Sequence, residues 1–280
     1  MTETISHASE SVAAGHPDKV CDQVAAAILD QAIEASALVD RRPRVAMEVS
    51  AKGHQAGGTL LLFGEVTLPN GVRLDYEDIA RKTVAQIGYA DSSQEFHSGL
   101  KELLVRITQQ SADIDRGVSQ KETGAGDQAV VFGGASDETP ELMPMPIAIA
   151  QALTNRYTEL YRGGFDWLRP DAKSLVVLDY RDGYPVEVNR VIVAASHAAG
   201  MSLKDLRPIL VKELIEPVLD NYHLKTPQPE GIIINGAGEW TNYGPTADAG
   251  TTNRKIIVDS YGGAFPHGGG GYNGKDPTKV

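Results

Sequence analysis

With 280 residues, 41% hydrophobic and 22% charged, the chain has the composition of an ordinary water-soluble protein, with room for one large domain or two to three small ones. A net charge of −11 excludes a general nucleic-acid binder, whose affinity rests on neutralising phosphates, so cations gathered around a ligand must be local exceptions. The lone Cys21 excludes an intrachain disulfide and suits a reducing compartment, and no apolar run reaches the roughly 18 residues of a membrane span.

The polar opening Met1 to His7 has no basic or apolar signal region, so a cytoplasmic location is expected. Ser9 to Lys19 reads as a turn into a helix: Pro17 suits the first helical position, and Val20, Val24, Ile28, Leu29 and Ala32 follow at helical spacing. His16 and Asp18 therefore flank a helix N-terminus, where free N–H groups favour an anion and its metal. Taken alone, the segment reads first as a helix cap with a solvated histidine.

Arg44 to Ser50 and Thr59 to Thr67 are predicted strands joined by a glycine-containing loop, followed by a helix over Tyr76 to Ile87 and an apolar stretch, Leu103 to Ile107. The order returns as strand Leu175 to Tyr180, a tight Asp182-Gly183 turn, strand Val186 to Ala195, helix Ser202 to Leu214 and strand Ile232 to Asn235. Two copies of strand-strand-helix-strand predict an α+β fold of repeated units, sheets packed together and helices outside. We divide the chain into a first αβ region over 1–120, a second over 121–235 and a closing segment over 236–280, interleaved in space.

Between the copies lie a flexible turn, Glu122 to Gln128, and a polar loop, Gln109 to Ile114, of a length suited to moving over a site. Asp171 and Lys173 stand two apart and share a face if a strand has begun there. Asp248 precedes Arg254-Lys255, a predicted apolar strand over Ile256 to Ser260, and the stretch His267 to Val280 with five glycines and two lysines. A backbone of that kind can approach a polyphosphate closely; taken alone, it is equally a flexible tail. Gly269 to Lys275 reads G-x-x-x-x-G-K, but Asp276 stands where a P-loop needs a hydroxyl and Pro277 comes next, so a P-loop is rejected.

Read together, Gly15 to Lys19, Gly124 to Gln128, Arg169 to Lys173, Arg254 to Asp259 and Gly268 to Asp276 resemble the S-adenosylmethionine synthetase (methionine adenosyltransferase) family, over about Glu10 to Val280 and in the family's order. The resemblance implies an enzyme in which the sulfur of L-methionine attacks C5′ of ATP and the expelled triphosphate is hydrolysed to pyrophosphate and phosphate. It implies that His16 meets the leaving oxygen, with Lys173, Arg254, Lys255 and Lys275 on the phosphates. It places Asp171, Ala172, Asp248 and Gly271 against the nucleotide, with Trp240 stacked on adenine. It assigns Glu65, Gln110, Asp127, Asp248 and Lys279 to methionine and its surroundings, Asp18 to Mg2+, Glu48 to K+, and Gln109 to Val118 to a mobile loop. A homodimer or dimer of dimers with shared sites is the implied assembly, with neither nucleic acid nor membrane as partner.

The departures are particular. Gly271 stands where the family usually has Ala or Ser, Asn273 where it has Ser, and Ala129 where Gly is usual. Glu239 often corresponds to Arg and Trp240 to Phe, so an acid beside the adenine is harmless only if it faces solvent, and the Gly53 to Gly58 loop is longer by a few residues. Members continue for roughly a hundred residues past Val280, beginning with an expected magnesium-binding Asp, so most of a third repeat is expected to be missing. A second chain completing the molecule, a shortened chain and a reduced working version all remain open, as does a nucleotide-binding subunit without turnover.

Overall fold

The computed structural model describes residues 4–39, 42–54, 57–109 and 128–277. The elements, in chain order, begin with β1 (Thr4–Val12), α1 (Pro17–Ala37), β2 (Arg44–Lys52), β3 (Thr59–Thr67), α2 (Tyr76–Ile87) and β4 (Glu102–Thr108). Next come α3 (Met145–Arg162), β5 (Leu168–Arg181), β6 (Tyr184–His197), α4 (Leu203–Leu210), a π turn (Val211–Ile215) and α5 (Glu216–Asn221). The last are β7 (Ile232–Ile234), α6 (Gly244–Ala247), β8 (Gly250–Thr251) and α7 (Ile256–Asp259). They form two compact units: Met1–His16 with Phe132–Tyr243 and Ile257–Pro266, and Pro17–Val131 with Gly244–Ile256 and His267–Val280. Among the described residues, no helix is long and apolar enough to cross a membrane.

The first unit has a mixed sheet of order β1-β5-β6-β7, in which β5 and β6 form an antiparallel hairpin and β7 runs parallel to β6. Its tip is the expected Asp182-Gly183 turn, with positive φ at both residues (53° and 84°), as a two-residue hairpin of matching twist requires. Both strands outrun their sequence-based limits. Pro170 lies at the irregularity between Leu168 and Ala172, where no ladder donor is needed. Ile149, Leu153, Tyr157 and Leu160 on α3 recur at helical spacing and join Val176, Leu178, Val191 and Val193 of the sheet in one core with Leu206, Leu210 and Leu214. Each such aliphatic burial contributes about 1.5–3 kcal/mol. The predicted helix over Ser202 to Leu214 is instead two helices around the π turn, because Pro208 and Pro217 each remove a helical donor.

α3 starts at a proline that offers no side-chain cap, and Glu138 takes that place. Its Oε2 accepts from Met145 N (2.9 Å) and the Tyr180 hydroxyl (2.5 Å), and its Oε1 from Ser136 Oγ (2.8 Å). Burial opposes the charge, but the bonds from Tyr180, Met145 and Ser136 outweigh it and hold the carboxyl below the usual glutamate value. A depressed native pKa stabilises the fold above the unfolded value, about 4.3, and that contribution is lost as pH falls through the native one. Thermal midpoints recorded from about pH 6 down to about pH 3 should therefore fall less steeply for Glu138→Gln than for the unaltered chain. Parallel curves would show that this carboxylate contributes nothing to acid stability.

The second unit has the sheet order β4-β3-β2-β8, with β2 and β3 antiparallel and β4 parallel to β3. α1 packs on β2, β8 and α2, burying Val20, Cys21, Val24 and Ile28 completely. Beyond β8 the glycine-rich segment joins the same edge of β2: Met47 N donates to Gly274 O (2.8 Å), Asp276 N donates to Val45 O (2.9 Å), and Lys275 bridges Ala46. A mixed α+β fold is thus present. The strand expected over Ile256 to Ser260 is absent: α7 occupies it, closed by the Gly262 N–H to Ile257 O bond (3.0 Å). A short apolar run has no period that separates strand from helical turn, and Ile257 is exposed while Val258 is buried.

Candidate active site

In the second unit the turn Thr251 to Lys255 docks on the first two turns of α1. Asp18, 1% exposed, accepts from Thr251 N at Oδ1 (3.0 Å) and pairs through Oδ2 with Lys255 Nζ (2.6 Å), while Arg254 lies 3.6 Å from Oδ1. One turn on, Asp22 accepts from Asn253 N at Oδ1 (2.8 Å) and pairs with Lys19 (3.1 Å). Asp18 sits in the first turn of the helix, where the dipole favours it. With Lys19, Arg254 and Lys255 against Asp18 and Asp22, the group still carries more cations than anions, a local exception in a chain of −11. Between them, Cys21 is buried; burial first, then Asp18 and Asp22, push its thiol well above the ordinary value, so it is not a reactive nucleophile.

The same turn reaches β2. Thr252 Oγ1 donates to Glu48 Oε2 and accepts from Val49 N (3.2 Å), and Glu48 Oε1 accepts from Lys275 Nζ (2.5 Å). Lys275 also donates to Met47 O (2.9 Å). Gly274 makes this approach possible: its φ is +70°, and a Cβ there would stand 2.7 Å from Ala25 Cβ and 3.0 Å from Met47 O. Asp276, the residue that broke the P-loop pattern, is buried and anchors the segment, accepting from Val45 N (2.8 Å) 3.5 Å from Arg44 Nε. Asp248 is exposed and accepts from Ala249 N (2.8 Å), and Glu65 is exposed on β3 opposite Ala46.

In the first unit the turn carrying Gly15 and His16 lies along the start of β5, with Gly15 N donating to Pro170 O (3.2 Å) and Ala13 N to Ala172 O (2.8 Å). His16, Asp171 and Ala172 are buried, and Lys173 is exposed. Asp171 lies in the irregular stretch before the regular ladder resumes at Ala172, and it is buried beside Pro170 and Ala172 while Lys173 is exposed. Trp240 is clasped at both backbone groups by buried His197: His197 N donates to Trp240 O (3.0 Å), and Trp240 N donates to His197 Nε2 (3.1 Å). Nε2 therefore accepts, and Nδ1 carries the proton that faces Ala198 O (3.1 Å). Glu239 is exposed, the condition under which it does not burden an adenine at Trp240.

The second unit thus joins Asp18 to Arg254 and Lys255, and Glu48 to Lys275; the first sets the His16 turn beside Asp171 and Ala172. Gln110, Asp127 and Lys279, with most of the Gln109 to Val118 loop, lie outside the described residues. Among the described residues, no three His, Cys, Asp or Glu side chains form a metal cage. Sequence reasoning missed Asp22, Thr252 and Asn253. Asp22 had a signal: it stands one helical turn after Asp18 on the face of Cys21 and Ala25, where a carboxylate needs a cation.

Comparison with known proteins agrees along nearly the whole chain. Residues 4–112, 122–240 and 243–280 match the N-terminal, central and C-terminal domains of S-adenosylmethionine synthetase. An S-adenosylmethionine synthase of Myxococcus xanthus strain DK1622 is 42% identical over 278 residues, covering 97% of this chain and 66% of that protein. A second from Myxococcus xanthus is 41% identical over 273 residues, with the same coverage. The chain therefore spans just under two thirds of the length of the curated relatives it matches. Three domain matches in the family's order, with this identity, show that the chain belongs to the S-adenosylmethionine synthetase family.

Proposed function

We propose that the chain transfers the adenosyl group of ATP to the sulfur of L-methionine. The methionine sulfur forms a bond to C5′ as the C5′–O bond breaks, and the electron pair leaves on the triphosphate. Water then cleaves the triphosphate to pyrophosphate and phosphate. New negative charge appears on the leaving oxygen, so fixed cations and orientation serve this step better than a base or nucleophile. The observation that carries the reading is the convergence of Arg254 and Lys255 on Asp18, and of Lys275 on Glu48, through a single turn. In this reading those cations take the phosphates, with Lys173 joining them and His16 at the leaving oxygen. Asp171, Ala172, Asp248 and Gly271 contact the nucleotide, Trp240 stacks on adenine, and Glu65, Gln110, Asp127, Asp248 and Lys279 line methionine.

Asp18 fits Mg2+ in the mode that ion prefers, one or two protein carboxylates completed by phosphate oxygens and water. Glu48, its side chain 38% exposed, keeps solvent-facing lone pairs for K+ beside its bonds to Lys275 and Thr252. When bound, these ions would neutralise phosphate charge. A homodimer or dimer of dimers in the cytoplasm is part of the same proposal.

The test is to incubate the purified chain with ATP, methionine, magnesium and potassium and quantify products by chromatography. Equal amounts of S-adenosylmethionine, pyrophosphate and phosphate are expected. Phosphate release that ignores methionine, or ATP binding with no product, would overturn the assignment for this chain.

A further inference from the structure

The glycine-rich segment and the Arg254-Lys255 turn are joined by one side chain that the reaction scheme does not use. Asn253 has left-handed backbone (φ +60°), a conformation asparagine tolerates better than most residues, and its N–H is held by Asp22. Its side-chain amide then pairs with both backbone groups of Asn273: Oδ1 accepts from Asn273 N (3.0 Å), and Nδ2 donates to Asn273 O (3.4 Å). This is the pairing a neighbouring strand would offer, made by a side chain to the backbone two residues before Lys275. Gly271 lies against the same amide. A Cβ there would stand 2.5 Å from Asn253 Nδ2 and 2.7 Å from Oδ1, too close for either to stay.

We propose that Asn253 is a positioning residue, latching the segment that carries Lys275 to the turn that carries Arg254 and Lys255, and that Gly271 is glycine to make room for it. The departure from the family at position 271 thereby acquires a physical reason. The latch itself is a statement about structure; its effect on rate rests on the reaction proposed above. Asp22 fixes the backbone of Asn253, Asn253 fixes Asn273, and the backbone bonds of Gly274 and Asp276 tie the end of the segment to β2. Lys275 is thus held from both sides.

The test uses the 280-residue chain with Asn253→Gly, Gly271→Ala and the double variant. Asn253→Gly keeps the left-handed backbone and the Asp22 bond but removes the side-chain amide. Hydrogen exchange over 271–275 should then quicken roughly thirtyfold, the value of two ordinary hydrogen bonds, and kcat should fall several-fold with the methionine KM unmoved. Gly271→Ala, which strains the latch as well as opening it, should lose more. The distinguishing result is the double variant: Asn253→Gly, harmful by itself, should raise the activity of Gly271→Ala to the level of Asn253→Gly alone. Losses that multiply in the double variant, or exchange over 271–275 unchanged in Asn253→Gly, would overturn the latch. If the unaltered chain makes no S-adenosylmethionine, the reaction reading fails, while the exchange measurements still decide the latch.

Discussion

Lys275→Ala should lower the rate of S-adenosylmethionine formation on the order of a hundredfold or more, about 2.7 kcal/mol of transition-state stabilisation, while leaving the methionine KM nearly unchanged. Charge develops on the leaving triphosphate only as the C5′–O bond breaks, so a cation aimed there acts on kcat and not on ground-state binding of methionine. The structure supplies a competing account. Lys275 already bonds Glu48 at 2.5 Å and Met47 O at 2.9 Å, and on that account the ammonium would do no more than fasten the glycine-rich segment to β2. Glu48→Gln separates the two. It keeps an acceptor oxygen for Lys275, turns an amide NH2 toward the Thr252 hydroxyl and removes the charge, so a purely fastening lysine would make the two variants alike, both less heat-stable and both only slightly slower. A phosphate-binding lysine makes them unlike, with the rate lost mainly in Lys275→Ala. Steady-state kinetics with thermal midpoints on both variants decide between these outcomes, and an unchanged rate in Lys275→Ala removes it from the reaction.

The sequence carried the strands of both hairpins and the segments of the candidate site, because those depend on alternation, turn chemistry and motifs that are local. What it concealed was long-range pairing. No spacing rule says that Asn253 reaches Asn273, that Thr252 reaches Glu48, or that Asp276 caps Val45, since each partner is chosen by how the chain returns to β2. The run Ile256 to Ser260 failed for a different reason: apolar residues without period fit a strand and a helical turn equally, and here Ile256–Asp259 form a helical turn.

Asp18→Asn should destabilise the second unit by about 3 kcal/mol in the absence of ligands, at the low end for one broken partner of a buried pair because Lys255 keeps 20% of its side-chain exposure. For a unit of roughly 140 residues that is a fall of roughly 6–12 °C in its thermal midpoint. The cause is local: an amide can still accept from Thr251 N, but if its oxygen does so, its NH2 faces the Lys255 ammonium, donor against donor. The magnesium requirement should rise as well, if this carboxylate holds the ion. Inorganic tripolyphosphate added without magnesium then asks what the cations are for. In the unaltered chain Asp18 competes with the anion for Lys255; in the variant that competitor is gone, so tripolyphosphate should raise the midpoint more in Asp18→Asn than in the unaltered chain. Equal shifts in the two proteins would mean that Arg254 and Lys255 are partners of Asp18 alone, and the phosphates would have to be held by other residues.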